Sequence, residues 1–397
     1  MNLSALGLSA ILTLLIAIPV LATDGVFVAV PAIREAFSTD SGSIQIAMTS
    51  YILSYAIVQL VYGPLSDRFG RRKVLLVSLV LFTLGSALCA AANSLGWLIA
   101  ARALQGIGAG SGPTLARAIL RDRHGAKQSI RLLSYIMAAF GVIAVIVPMV
   151  GGILVENIGW PAVFILGSLY GVVCIALVWF GLEETRPAES AVKRGISRNF
   201  QSYAILLKSR NFMMLAGANS AIYGAMFAWI AGAMFVLIEG LGQAAGAAGT
   251  YYAVSIVGFV LGSALAGRLQ LDLTPLQVIA GGIIICLAAS ITGWSISDVR
   301  TPLAVIVPGF VVMIGIGFVV APATALGIGP YPEMAGAASA LIGFIQMAVS
   351  SLTVLAVGYI FDGTAGPMMI LMAVLCFISL GLFFPFLDRL RDRLISR

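Results

Sequence analysis

Residues 63–73 read GPLSDRFGRRK, and the setting of this stretch decides the fold. An apolar run over 43–65 precedes it and another over 73–93 follows it. As helices rising ~1.5 Å per residue, each is long enough to cross a hydrocarbon layer of ~30 Å. The turn between them is short and carries one acid, Asp67, among Arg68, Arg71, Arg72 and Lys73. Basic connections between apolar spans mark the cytoplasmic side of a membrane. A plain stop-transfer loop would explain the arginines, but not the lone Asp67 or the spacing of Gly63 and Gly70.

Working outward, the first half holds spans at 7–32, 43–65, 73–93, 95–116, 129–154 and 159–182, and the second half at 211–239, 246–268, 276–296, 301–326, 334–361 and 365–386. The runs are continuous and show no period-2 alternation, which predicts helices rather than barrel strands. The expected fold is an all-α integral membrane protein of twelve transmembrane helices. The longest connection, 183–210, carries six basic residues and divides the spans six and six. The expected organisation is an N-terminal bundle over 1–182, a basic linker over 183–210, and a C-terminal bundle over 211–397 ending in a short basic tail.

Composition agrees. Apolar residues make up 60% of the chain, charged residues 10%, and mean hydropathy is +1.05; a soluble domain carries about a quarter charged residues. The net charge of +7 does not indicate nucleic acid, because 20 of the 23 Lys and Arg fall in five clusters at every second connection: Arg68–Lys73, Arg117–Arg131, Arg186–Arg210, Arg268 and Arg389–Arg397. The positive-inside rule puts those connections and both termini in the cytoplasm. The other connections are short and lean acidic, with Glu35, Asp40, Glu156, Glu239, Asp298 and Asp362. Little protein lies outside the bilayer, so function resides within it.

Cys89, Cys174, Cys286 and Cys376 each sit in a different apolar span with no metal spacing, and read as small buried hydrophobes. The first apolar run has no Lys or Arg before it and is too long for a cleaved signal, so it reads as a first helix. No paired carboxylates, Ser/His arrangement or metal cluster appears, and the one histidine, His124, falls in a basic connection. An enzyme, a metal and a cofactor are therefore not expected.

The six-plus-six pattern and the residues Gly63, Asp67, Arg68, Gly70, Arg71 and Arg72 resemble the major facilitator superfamily, whose members build two related halves around a midplane site. The resemblance implies that helices 1, 4, 7 and 10 lie nearest the cavity. It also makes the 63–73 turn a latch remade as the halves rock, with Asp67 capping the start of helix 11 near Tyr331-Pro332-Glu333 and an arginine bridging Asp67 and Glu333. The matching place after span 8 keeps Gly267 and Arg268 but lacks the acid. The fourth span, LIAARALQGIGAGSG, resembles the family pattern of an arginine followed three residues later by glutamine, Arg102 and Gln105. Its glycines read as close packing rather than a nucleotide loop, which would need a strand and a βαβ unit.

Arg102 is the arginine deep in an apolar span, and such a charge faces a cavity or a partner. Asp24 is the candidate partner. With helix 1 ending near Ile33 and helix 4 starting near Leu95, the two lie roughly 14 and 11 Å from the same membrane face. The alternative is a solvated Asp24 at a helix end. Span 5 carries GVIAVIVPMVGGIL, resembling the superfamily's antiporter motif through Pro148, Gly151 and Gly152, with Val147 where glycine is usual. It predicts a bend, or packing alone. The stretches ATDGVFVAVPAI, ARAILRD, EETRP and YPEMAGAASALIGFIQ further resemble the bicyclomycin and chloramphenicol resistance (Bcr/CflA) branch of drug:proton antiporters.

Polar and aromatic residues inside the spans are the candidate substrate contacts: Phe27, Tyr51, Tyr55, Gln59, Gln105, Asn219, Tyr223, Met226, Trp229, Tyr251 and Gln346. Asn219, Tyr223 and Met226 recur at helical spacing on one face of helix 7. Apolar-aromatic pockets with few polar anchors suit varied lipophilic ligands; the same residues can equally fill helix contacts. The resemblance implies a monomeric, proton-coupled exporter of small lipophilic compounds such as antibiotics, with Asp24 and Arg102 as the proton-coupling pair. The alternative is an exporter or importer of one defined metabolite, such as a sugar, amino acid or siderophore.

Overall fold

The computed structural model describes residues 5–185 and 196–395, and side chains within these except at 5–6, 124–131, 134, 196–200 and 387–395. The protein is a twelve-span membrane protein, and the described residues contain helices and turns but no strand. Eleven helices among the described residues are long and apolar enough to span on their own, from Gly7–Phe27 to Gly366–Phe386. The twelfth span is built from two helical pieces. Compact packing divides the chain into one unit of residues 1–40 and 46–200 and a second of 41–45 and 201–397.

The first unit contains α1 (Ala5–Phe27), α2 (Val30–Ala36), most of α3 (Ser41–Phe69), α4 (Arg71–Ala90), α5 (Leu95–Ala109), α6 (Ser111–Asn157) and α7 (Pro161–Gly181). The expected first span, 7–32, is interrupted. Proline lacks an N–H and its ring displaces the carbonyl four residues earlier, so Pro31 ends α1 at Phe27, and the chain resumes as α2 after Val28 and Ala29. The expected fourth span, 95–116, is likewise two pieces meeting at Gly110.

The second piece continues as helix through the basic connection into the fifth span, 47 residues in all. It cannot be straight. A Cβ on Gly112 would strike Leu15, and a Cβ on Gly151 would come within 2.9 Å of the Gly25 carbonyl oxygen. Leu15 and Gly25 are roughly 15 Å apart along α1, whereas Gly112 and Gly151 would be roughly 58 Å apart on a straight helix. The helix therefore folds back between them and lays both its ends on α1. Within this unit α4 packs against both α5 and α7. Its opposite flank exposes Val77, Val80 and Leu84, an apolar surface suited to lipid rather than water.

The second unit comprises most of α8 (Ile196–Lys208), α9 (Arg210–Met234), α10 (Ala245–Leu269), α11 (Pro275–Ser295), α12 (Pro302–Ile328), α13 (Ala335–Ile360) and α14 (Gly366–Ile395). Its centre is α9, which packs on α12, α13 and α14 and is the most enclosed of the spanning helices. Beyond Met234 the α-helical hydrogen bonding widens to a π-turn over Phe235–Gly240. The α10–α11 connection is a tight turn closed by a Thr274/Gln277 capping box. The start of the eleventh span is a short 3₁₀ turn, Pro332–Met334, ahead of α13. The four cysteines are buried, as their apolar setting implies. Cys286 and Cys376 are not isolated: their thiols meet between α11 and α14.

Candidate functional site

Arg102 is completely buried on α5. Leaving a guanidinium in an apolar interior without partners is prohibitive, and the surrounding helices supply them. Its Nη1 donates to the carbonyl oxygen of Ala22 on α1 at 2.8 Å and to Gln105 Oε1, one turn along α5, at 2.6 Å. Its Nη2 lies 3.8 Å from Met48 Sδ on α3. The guanidinium Cζ sits over the Tyr51 ring, 4.2 Å from its centroid, and over that of Phe164 of α7 at 5.9 Å. Gln105 passes the network on: its Nε2 donates to Ser86 Oγ at 2.8 Å, and that hydroxyl donates to the Phe82 carbonyl on α4. Three helices thus meet the cation carried by α5, and a fourth, α4, is joined to it through Gln105.

Close approach makes this possible. A Cβ on Gly85 of α4 would lie 2.6 Å from the Gln105 backbone nitrogen, so a larger residue would push the glutamine out of reach. Asp24 belongs to the same layer, two residues beyond the Ala22 carbonyl that holds Arg102, in the last turn of α1. Asp24 is half-buried. The Ala22 contact therefore fixes the shared level directly, whereas the estimate from a first helix ending near Ile33 started from a boundary that Pro31 moves. The bend motif reaches the same place. Gly151 of α6 packs on Gly25, the neighbour of Asp24, and Val147 fills the other side of Gly25, whose added Cβ would be 3.1 Å from Val147 Cγ1.

The 63–73 turn forms a second polar centre in the first unit. Gly70 adopts φ of +97°, a conformation that glycine tolerates, and α4 starts at once. Glu184, just past α7, caps that start: its Oε1 accepts from the Arg71 backbone N–H at 2.9 Å and its Oε2 from that of Arg72 at 3.2 Å. The Arg71 side chain pairs with Asp67 at 2.6 Å and with Asp122 of α6 at 3.1 Å. Arg72 donates to the Trp179 carbonyl and lies over that indole at 5.5 Å, while Arg68 covers Phe69. Arg123 pairs with Glu183 at 2.8 Å. Asp122, Glu183 and Glu184 were not among the candidates from sequence, although ARAILRD and EETRP contain them.

In the second unit the candidate polar residues are neutral. Asn219 of α9 donates from Nδ2 to Thr324 Oγ1 of α12 at 3.0 Å. Tyr223 and Met226, four and seven residues on, are half-buried on the same face. Trp229 is fully enclosed, its ring against Gly309 of α12, where any Cβ would collide with it. Gln346 lies buried on α13, and Tyr251 is half-buried on α10.

The sequence matches the family model described as Major Facilitator Superfamily over residues 12–354. The chain belongs to the major facilitator superfamily. Among its relatives, multidrug resistance protein D of Escherichia coli (strain K12) is 30% identical over 344 residues, 84% of each chain. A bicyclomycin resistance protein homolog of Haemophilus influenzae is 28% identical over 344 residues, 85% of each chain. Among solved structures, a bacterial homologue of the human lysosomal transporter Spinster superposes with a TM-score of 0.76, covering 97% of this chain and 96% of that one at 18% identity. The protein is thus a multi-pass membrane transporter resembling the drug-resistance branch.

In this transporter the candidates fall into two groups. Tyr51 and Gln105 join Arg102, and Tyr55 stacks on Tyr51 with ring centroids 6.2 Å apart. Phe27 and Gln59 are buried on α1 and α3. Asn219, Tyr223, Met226, Trp229, Tyr251 and Gln346 all lie in the second unit. Pro148, Gly151 and Gly152 lie within α6, and Glu333 is exposed in its 3₁₀ turn. Met48, Ser86 and Thr324 hold Arg102, Gln105 and Asn219 in place. Nothing in the sequence distinguishes them from ordinary span residues.

Proposed function

We propose that the transporter is a proton-coupled exporter of small, largely lipophilic compounds, working in a bacterial cytoplasmic membrane with both termini inside. The observation that carries this reading is the buried Arg102, held on α5 by contacts from α1, α3 and α7 in the layer of Asp24. An intramembrane arginine in one layer with a carboxylate serves proton movement rather than stability, since a charge at this depth costs about 2.5–3.5 kcal/mol on insertion scales. A proton arriving at Asp24 removes its charge, alters what α1 and α5 hold on one another, and is transmitted to α6 through the Gly25–Gly151 contact. Each charge carried through the field contributes about 2.3 kcal/mol per 100 mV. The Asp67–Arg71–Asp122 network serves as the latch that breaks and re-forms during the cycle.

The lipophilic preference is supported by the apolar and aromatic lining of α9 and by two relatives named for multidrug and bicyclomycin resistance. The organisation into bundles over 1–182 and 211–397, joined by a basic linker and active as a monomer, belongs to the same reading. Proteoliposomes with an imposed pH gradient and a panel of antibiotics, dyes and metabolites test it. Gradient-driven accumulation of several unrelated lipophilic compounds is expected; movement of a single sugar, amino acid or siderophore would replace this reading with a dedicated metabolite carrier.

A further inference from the structure

The second unit holds a pair of buried amide groups that the transport reading leaves unassigned. Thr324 Oγ1 donates its proton to the Val320 carbonyl one turn back along α12, at 2.7 Å. Toward Asn219 that hydroxyl can therefore act only as an acceptor, so Asn219 must present Nδ2 to it, as observed at 3.0 Å. The amide orientation is fixed by this chain of bonds, and Asn219 Oδ1 becomes the free end. Oδ1 is buried without a hydrogen-bond partner among the described residues, and so is Gln346 Nε2. Buried polar atoms are normally satisfied, and each exception calls for an explanation.

The two free ends lie in one layer. An added Cβ on Gly327 of α12 would meet both Leu215 of α9 and Ile342 of α13, and one on Gly224 of α9 would meet Val349 and Thr353 of α13. Residues 215 and 342 are thus level, as are 224 and the pair 349 and 353. The same offset along these two parallel helices carries 219 to 346. Asn219 is also roughly 14 Å along α9 from Arg210, near mid-membrane depth. No Asp, Glu, Lys, Arg or His occurs in residues 211–238, 302–328 or 335–360, so nothing on these three helices would neutralise a charged ligand group there.

We propose that Asn219, Thr324 and Gln346 form a neutral subsite that recognises an amide group of the transported molecule. Asn219 Oδ1 accepts from the ligand N–H, Gln346 Nε2 donates to its C=O, and Thr324 positions Asn219. Tyr223 and Met226 continue the same face and receive the adjoining apolar body. This deepens the export reading and rests on it only for the supply of a small lipophilic ligand.

The test uses the purified full-length protein in nanodiscs and two probes of one skeleton, N-benzylbenzamide and benzyl benzoate, which differ by N–H against O. Binding of the tritiated amide is competed with each unlabelled probe. An amide preference of about tenfold is expected, the value of one buried hydrogen bond. It should fall to about threefold or less in Asn219→Leu, whereas Gln346→Met, which removes the donor to the C=O that both probes carry, should weaken both probes about tenfold; each variant is checked for a single size-exclusion peak. Thr324→Val keeps both carboxamides but frees Asn219 to flip, and should lower the preference without abolishing it. Equal binding of the two probes by the wild type, an undiminished preference in Asn219→Leu, or unchanged affinity for both probes in Gln346→Met overturns the subsite. Failure of the export reading looks different: no compound moves with the pH gradient in proteoliposomes, while the binding preference stands.

Discussion

Replacing Arg102 by lysine keeps the charge and changes its shape, and the structure says that shape is what matters. The guanidinium makes two charge-assisted hydrogen bonds through Nη1, to Ala22 O and Gln105 Oε1, and its Cζ sits over Tyr51 at 4.2 Å. A lysine ammonium has no planar face to stack and cannot hold both acceptors at those positions. Losing one charge-assisted bond costs about 1.5–3 kcal/mol, and losing a desolvated cation–π contact adds up to about 2 kcal/mol. A net cost near 2–4 kcal/mol in a unit of this size lowers the melting temperature by about 4–16 °C. In a background with Cys286 and Cys376 replaced by alanine, the buried thiols Cys89 and Cys174 in the same unit as Arg102 report its opening through a thiol-reactive fluorescent dye during a temperature ramp. Arg102→Lys should melt in that range below wild type and lose gradient-driven transport. A lysine variant melting within about 2 °C of wild type would mean that the charge alone, and not the guanidinium geometry, organises the layer.

Three further outcomes are expected. Asp24→Asn should abolish pH-driven transport while leaving ligand binding in place, measured as counterflow against active uptake in proteoliposomes; an Asn variant that still concentrates substrate with normal pH dependence assigns the proton elsewhere. Gly151→Val adds bulk where even a Cβ lies 2.9 Å from the Gly25 carbonyl, and overpacking of this kind costs about 1–3 kcal/mol. It should slow transport more than Val147→Ala, which removes bulk from the same contact, and equal rates in transport assays would separate the bend motif from Asp24. Glu184→Gln weakens the acceptor of two orphan N–H groups at the start of α4 by about 1 kcal/mol, so hydrogen exchange at the Arg71 and Arg72 amides should quicken roughly fivefold, and unchanged exchange would remove the cap from the account.

The spans were legible because lipid demands long uninterrupted apolar runs, and the hydropathy pattern records that demand residue by residue. The interruptions were less so. Pro31 carried a readable signal, since its ring strikes the carbonyl of Phe27, but hydropathy alone runs on to 32. The continuous helix through 117–134 was hidden for a different reason: ARAILRDRHGAKQSIR is charged and reads as a connection, although most of its residues are sound helix formers. Arg102 and Gln105 stood out because a charge in an apolar run is costly and three residues place both on one helix face. Their partners did not stand out, because a carbonyl at Ala22, a sulfur at Met48 and a hydroxyl at Ser86 gain meaning only once α1, α3 and α4 are brought together. Glu184 is more than a hundred positions from the amides it caps, a pairing that local pattern cannot reveal.

The two units divide the polar chemistry unequally, and that division bears on how one molecule can couple two events. Within the apolar spans the deep charges, Asp24 and Arg102, both lie in the first unit, while the buried polar anchors of α9, α12 and α13 are uncharged. A buried charge responds strongly to a proton because each protonation state has its own solvation and partners, whereas a carboxamide does not titrate at all. On the proposed reading, the first unit senses the proton gradient and the second grips the ligand with groups indifferent to pH. Grip on the ligand then stays constant while the charge state of the first unit changes, so the energy of the gradient acts on the arrangement of helices rather than directly on the bound molecule. A carrier built this way need not match each substrate with a counter-charge, which suits a transporter whose relatives are named for resistance to more than one drug.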